Sequence, residues 1–136
     1  MAASVLVDAG FLVALLSRRD GHHRWAVAQA ERFPPPWHTC EAALSEAFHL
    51  LGPTGSENLA ALLRRDAVSI PFPLGAHLAS VLTLLGKYAD VPASLADVIL
   101  LRMTETMDDP QLLTTDADFK IYRRHGRQIV PIVFPS

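Results

Sequence analysis

The residues of this chain whose types and spacing could do chemistry are acidic. Asp8 ends the apolar run "SVLVD", Glu46 lies inside "CEAALSEAFHLL", Asp97 sits in "SLADVILL", and Asp116 and Asp118 follow "LLTT". Carboxylates are hard oxygen donors, and several of them at one place suit Mg2+ or Mn2+. An ion held so neutralises phosphate charge and activates water for in-line attack. Each acid also has a structural reading. Asp8 can cap a helix that starts at residue 9. Glu46 can be a polar rim position, although its neighbours Ala42, Ala43 and Leu50 are apolar and a buried carboxylate there is costly unless paired or metal-bound. Asp97 lies three residues after Ser94, the spacing of a capping box. One acid suffices to cap the segment after "LLTT", and the sequence supplies two, Asp116 and Asp118. Glu41 falls in a first helical turn, where an acid complements the helix dipole, and reads as structural.

The elements that must position these acids alternate. Strands are expected at 4–8, 37–39, 67–72, 111–115 and 129–134. Helices are expected at 9–19, 22–33, 40–51, 56–66, 75–89, 94–107 and 118–125. The strands are short continuous apolar runs, the pattern of strands covered on both faces. Strands interleaved with helices give an α/β fold with a mainly parallel sheet, whose function gathers at the carboxyl ends of the strands. Asp8 and Asp116 both close apolar strands. If those strands are neighbours, Asp8, Glu46, Asp97 and Asp116 can meet at one sheet edge.

The remaining features narrow the class. At 136 residues the chain suits one domain, 1–136, with no linker or repeat. Charged residues make up 19%, below the roughly 25% of ordinary domains, so some apolar surface is expected to face a partner. A single cysteine, Cys40, excludes an internal disulfide and a cysteine zinc site and fits a reducing compartment. The opening "MAASVLVDAGFLVALLSRR" lacks a basic start and is broken by Asp8, so it reads as folded structure and not as a signal peptide. No apolar run is long enough for a membrane span. There is no nucleophile elbow, no P-loop and no dinucleotide-binding glycine motif.

The blocks "VLVDAGFLVALL", "TCEAALSEAFHLL", "ASLADVILLRMTE" and "LLTTDADF" resemble, in order, the four acidic blocks of PIN-domain ribonucleases, and within them the VapC-type toxins of prokaryotic toxin–antitoxin pairs. The resemblance implies an α/β/α sandwich and divalent-metal-dependent cleavage of RNA, with Mg2+ or Mn2+ as cofactor. Asp8, Glu46, Asp97 and Asp116 match the acidic quartet, Asp118 an accessory acid, and Thr114 a hydroxyl that helps organise the site. It further implies a cytoplasmic protein, an antitoxin partner and a homodimer, for which the apolar helices at 9–17 and 75–86 could supply the interface. Two positions depart from the pattern. Gly10 stands where many members carry Asn or Ser, and Ser94 where many carry a second Asp.

Among the basic residues, Arg18–Arg19, Arg64–Arg65 and Arg123–Arg124 fall near expected helix ends, where they compensate the dipole. Arg123 and Arg124, in "RRHGR" just after the acidic block, are the candidates for phosphate binding along an RNA path. His22 and His23 read as surface residues, and His49 as packed or solvated, with a supporting place beside Glu46 as its alternative. Trp25 and Trp37 read as core or interface before base stacking. A net charge of −2 lends no support to a nucleic-acid binder, but a bound metal reverses the local sign. The alternative from another class is a non-catalytic PIN-like module that binds RNA or protein. A receiver needs an acid ending "AVSIPF", and a haloacid-dehalogenase-type phosphatase needs Asp-x-Asp after the first strand, where this chain has Asp8-Ala9-Gly10.

Overall fold

Residues 3–136 are described by a computed structural model, so Met1 and Ala2 of the opening stretch lie outside the described residues. The chain begins with β1 (Ser4–Val7), whose alternate side chains serve two cores: Leu6 enters one, Val5 and Val7 the other. It continues through α1 (Ala9–Leu16), α2 (His23–Arg32), β2 (Trp37–His38), α3 (Glu41–Arg64) and β3 (Val68–Ser69). A 3-10 turn at Leu74–His77 leads into α4 (Leu78–Lys87), and α5 (Leu95–Thr106) precedes β4 (Pro110–Leu113). A second 3-10 turn at Ala117–Lys120 is followed by β5 (Arg123–Arg124), β6 (Gln128–Ile129) and β7 (Ile132–Val133).

Five strands form a parallel sheet in the order β3-β2-β1-β4-β7. The core built on Val5, Val7 and Leu113 takes in α1 residues Phe11 and Leu12 and α3 residues Leu44 and Leu59. The core built on Leu6 and Leu112 takes in α5 residues Ile99 and Met103, together with Val81, Phe119 and Tyr122. Both faces of the sheet are thus covered, and the expected α/β/α arrangement holds. β1 and β4 are central neighbours with Val7 opposite Leu113, so the next residues, Asp8 and Thr114, leave the sheet side by side.

Several expected elements differ in extent. The helices expected at 40–51 and 56–66 form one run, α3, kinked at Gly52, whose φ of 70° only glycine adopts readily. The strand expected at 67–72 pairs only at Val68–Ser69, because Pro71 and Pro73 interrupt the chain just beyond it. The helix expected at 118–125 is absent beyond one 3-10 turn. Arg123 and Arg124 pair antiparallel with Ile129 and Gln128 across a tight turn where His125 and Gly126 both have positive φ. The strand expected at 129–134 is accordingly split at Val130 and Pro131 between this hairpin and β7. Among the described residues no helix is long and apolar enough to cross a membrane.

Candidate active site

α1 and α3 begin where β1 and β2 end, and α5 begins at the same edge of the sheet. The N-terminal parts of these helices and the end of β4 enclose a cleft of about 120 Å3 lined by Asp8, Gly10, Ala43, Glu46, Ala96, Asp97, Thr115 and Asp116. The four acids read as a quartet are therefore brought to one cavity, at the carboxyl edge of the sheet. Among the described residues no Lys or Arg side chain lines it.

Asp8 is the deepest of them, 6% exposed. Its Oδ1 accepts the Phe11 N–H at 2.8 Å, capping α1, and its Oδ2 accepts from the Thr114 hydroxyl. Burial pushes the carboxyl up to about 6. The bonds from Thr114 and Phe11 oppose that rise, and the charges of Asp116 and Asp97 add to it. Thr114, fully buried, also accepts the Asp116 N–H at 2.9 Å, so one hydroxyl ties the end of β1 to the fourth acid. Asp116 in turn accepts the Asp118 N–H at 2.9 Å and caps the 3-10 turn. The cap reading is thus correct for Asp8 and Asp116, and capping leaves both in the cleft lining.

Asp97 completes a capping box: its Oδ2 accepts the Ser94 N–H at 3.0 Å while Ser94 Oγ accepts the Asp97 N–H at 3.1 Å. The buried Tyr122 hydroxyl approaches the same Oδ2 at 3.4 Å. Desolvation raises the Asp97 carboxyl, and Asp116 adds to the rise, against the bonds from Ser94 and Tyr122. Desolvation and the nearby Asp97 raise the Tyr122 phenol, which stays protonated and able to donate.

Glu46 takes the polar rim position, one of its two readings from sequence. Its helix is not apolar on every side that is covered: Ala43, Leu44 and Ala47 are buried, but Glu46 is exposed at the rim of the cleft, and Leu50 is 59% exposed. No burial cost therefore demands a partner for it. Asp118 is partly buried and does not line the cleft. Among the described residues no group of three His, Cys, Asp or Glu side chains forms a ready-made metal site. The acids share one cavity without closing on a common point.

One of the three arginine pairs differs from expectation. Arg123 is in a strand, and its Nη1 donates to the carbonyls of Lys120, Ile121 and Tyr122. Arg124 Nη2 donates to the Thr104 carbonyl in the last turn of α5, so it compensates a helix end that is not its own. Arg18–Arg19 and Arg64–Arg65 follow or close α1 and α3, at the ends remote from the cleft. Trp37 is core, 5% exposed, with its ring edge to Phe11 and its Nε1 donating to the Phe33 carbonyl.

Two contributors escaped the sequence reading. Thr115 lies between two residues that were singled out, but strand alternation gave no reason to aim it into the cleft. Tyr122 was hidden in a segment read as a helix. Its place on Asp97 depends on packing against Tyr88 and Phe119, which no local pattern reports.

Compared with known proteins, residues 5–124 match the family model of the PIN domain. No curated protein matches the chain.

Proposed function

Because the chain belongs to the PIN-domain family, whose members are generally metal-dependent nucleases, we propose that it is an endoribonuclease using Mg2+ or Mn2+ and the toxin of a VapC-type toxin–antitoxin pair. The observation that carries this reading is the convergence of Asp8, Glu46, Asp97 and Asp116 on one cleft with no basic side chain in its lining. The donor set fits a hard cation: every charged group is a carboxylate, and the Asp8 carboxyl is raised partly by its acidic neighbours. Asp8, Asp97 and Asp116 would hold the ion, with Glu46 at the open side. Such an ion supplies charge neutralisation at the scissile phosphate and a more acidic attacking water.

The chain's own groups do the positioning. Thr114 fixes the Asp8 carboxylate and the Asp116 backbone together. Ser94 N–H and Tyr122 both engage Asp97 Oδ2, leaving Oδ1 for the cleft. Phe11 N–H and the Thr114 hydroxyl occupy one lone pair on each Asp8 oxygen, so Asp8 cannot swing out of the site.

The partners proposed are RNA as substrate, an antitoxin and a second copy of the chain, in the cytoplasm. Of the helices considered for a dimer interface, α1 buries Phe11, Leu12 and Ala14 in the chain's own core and leaves Val13, Leu15 and Leu16 partly exposed. α4 keeps Leu78 and Leu82 about half exposed and supports that role.

The test is cleavage of a mixed RNA pool with Mn2+, with EDTA, and by Asp116→Asn. The expected result is products bearing 5′-phosphate and 3′-hydroxyl, lost with EDTA and reduced by orders of magnitude in the variant. Metal should also raise the melting temperature of the wild type, because it binds only the native state, and Asp116→Asn should abolish most of that rise. For the toxin role, expression should slow growth and Asp8→Ala should relieve it. Equal toxicity of both forms would reject it, and RNA binding without cleavage would favour the non-catalytic module.

A further inference from the structure

Gly10 and Thr115 meet in the lining of the cleft. Both line it, one from the first turn of α1 and the other just after β4. A Cβ added at Gly10 would lie 2.5 Å from Thr115 Oγ1 and 3.5 Å from Asp8 Oδ1. The space a side chain at position 10 would take is therefore filled by the Thr115 hydroxyl, placed beside the most buried acid of the site. The neighbouring hydroxyl, Thr114, is committed on both sides, donating to Asp8 and accepting from Asp116. Among the described residues no hydrogen bond engages Thr115 Oγ1. It is a neutral donor in a cavity whose other polar groups at hand are carboxylates.

We propose that Thr115 Oγ1 is a substrate-contacting group that donates to a non-bridging phosphate oxygen of a nucleic-acid strand in the cleft, and that position 10 must be glycine for Thr115 to hold that position. The proposal rests on the nuclease reading. Its chemistry follows from the charges present. A phosphodiester entering this cleft meets Asp8, Asp97 and Asp116, which can only repel it or share a cation with it. A hydroxyl is the kind of side chain that can bind the phosphate oxygen directly. The carboxylates accept hydrogen bonds and the phosphate needs them donated. Gly10 belongs to the same unit. A methyl there would push Thr115 Oγ1 into another rotamer, moving the hydroxyl without removing it.

The experiment measures cleavage of single-stranded RNA with Mn2+ and binding of the same RNA with Ca2+, by fluorescence anisotropy. The proteins are wild type, Thr115→Ser, Thr115→Val, Gly10→Ala and the double variant Gly10→Ala/Thr115→Val. Thr115→Val keeps the shape and loses the donor. It should weaken RNA binding and kcat/KM by roughly tenfold or more, as for a lost hydrogen bond to a charged group. Thr115→Ser should retain wild-type values. Gly10→Ala should match Thr115→Val, and the double variant should be no worse than either single one, because both remove the same contact. Melting temperatures guard the comparison: alanine is the better helix former, so Gly10→Ala should hold or gain stability while losing function.

Wild-type binding and kinetics from Thr115→Val, or additive losses in the double variant, would overturn the proposal and leave the nuclease reading standing. A wild type that binds RNA without cutting it, with binding weakened in Thr115→Val, would overturn the nuclease reading and keep the contact. A wild type that neither binds nor cuts overturns both.

Discussion

The two sides of the cleft are built differently. On the strand side, Asp8 and Asp116 stand at the ends of adjacent parallel strands, joined through Thr114, each with its carboxylate fixed by a backbone N–H. On the helix side, Glu46 projects from the second turn of α3 into solvent at the rim, and no hydrogen bond among the described residues restrains it. Asp97 lies between these extremes, partly buried and held by its capping box. The same local devices that start helices, N-caps and a capping box, here aim carboxylates into a cavity. Capping and the proposed metal binding are then compatible and not competing explanations. A ligands-only account leaves the hydrogen bonds on Asp8 and Asp97 unexplained.

The strand side should carry a measurable charge cost that the helix side lacks. Burial holds the folded Asp8 carboxyl at about 6 against an ordinary 3.8. The native state therefore binds this proton more tightly than the unfolded state. Stability from this group is greatest where both states are protonated, falls as pH rises from about 4 to about 6, and is level above. A shift of this size is worth about 3 kcal/mol. Asp8→Asn keeps the cap, since asparagine serves at an N-cap as well as aspartate. In EDTA, urea unfolding should show the variant gaining on wild type as pH climbs through that window. A pH-independent difference would mean that Asp8 is not held protonated by its surroundings.

The strand side was also the legible one, for a physical reason. A short apolar run ended by an acid reports burial and chain reversal within a few residues, and parallel pairing of such runs does the rest. Asp8, Asp97 and Asp116 lie within one turn of an element start, so local sequence nearly fixes where they go. Glu46 is not so placed. The pattern around it, with Ala42, Ala43 and Leu50, reads as apolar, and only the tertiary packing decides that Leu50 and Glu46 stay uncovered. The segment "DFKIYRRH" has helical spacing of Phe119 and Tyr122, and both do enter the core. Yet the turn at His125 and Gly126 and the pairing with Gln128–Ile129 take Arg123 and Arg124 into a hairpin instead. A one-turn commitment to helix and a two-residue strand are too short for periodicity to separate.

Thr114 joins the two acids of the strand side, so removing its hydroxyl should disturb both. Thr114→Val is nearly isosteric in a fully buried site. It leaves the Asp116 N–H without its acceptor and Asp8 without one donor. The expected loss is about 1–3 kcal/mol in urea unfolding. The Asp8 carboxyl should also climb above its present value, because the Thr114 bond is the largest influence holding it down. A side-chain NMR titration of Asp8 reads this directly. An unchanged titration would remove Thr114 from the influences on the Asp8 carboxyl and leave it as packing.

Glu46 gives the smallest effect on the fold and the sharpest test of the comparison. Glu46→Gln changes an exposed side chain with no hydrogen bond to lose, so metal-free stability should move by less than ~0.5 kcal/mol. Its functional effect should not be small. Glu46 lines the same cleft as Asp8 and Asp116, and among the described residues its carboxylate has no hydrogen bond to break on turning inward. An unrestrained acid on the open side is the one able to complete coordination after an ion enters, whereas Asp8 and Asp116 are already fixed. The variant should therefore show a smaller metal-induced rise in melting temperature than wild type, and slower RNA cleavage, on an unchanged metal-free baseline. If the metal response and cleavage both match wild type, Glu46 is a solvated rim residue, and the site reduces to Asp8, Asp97 and Asp116.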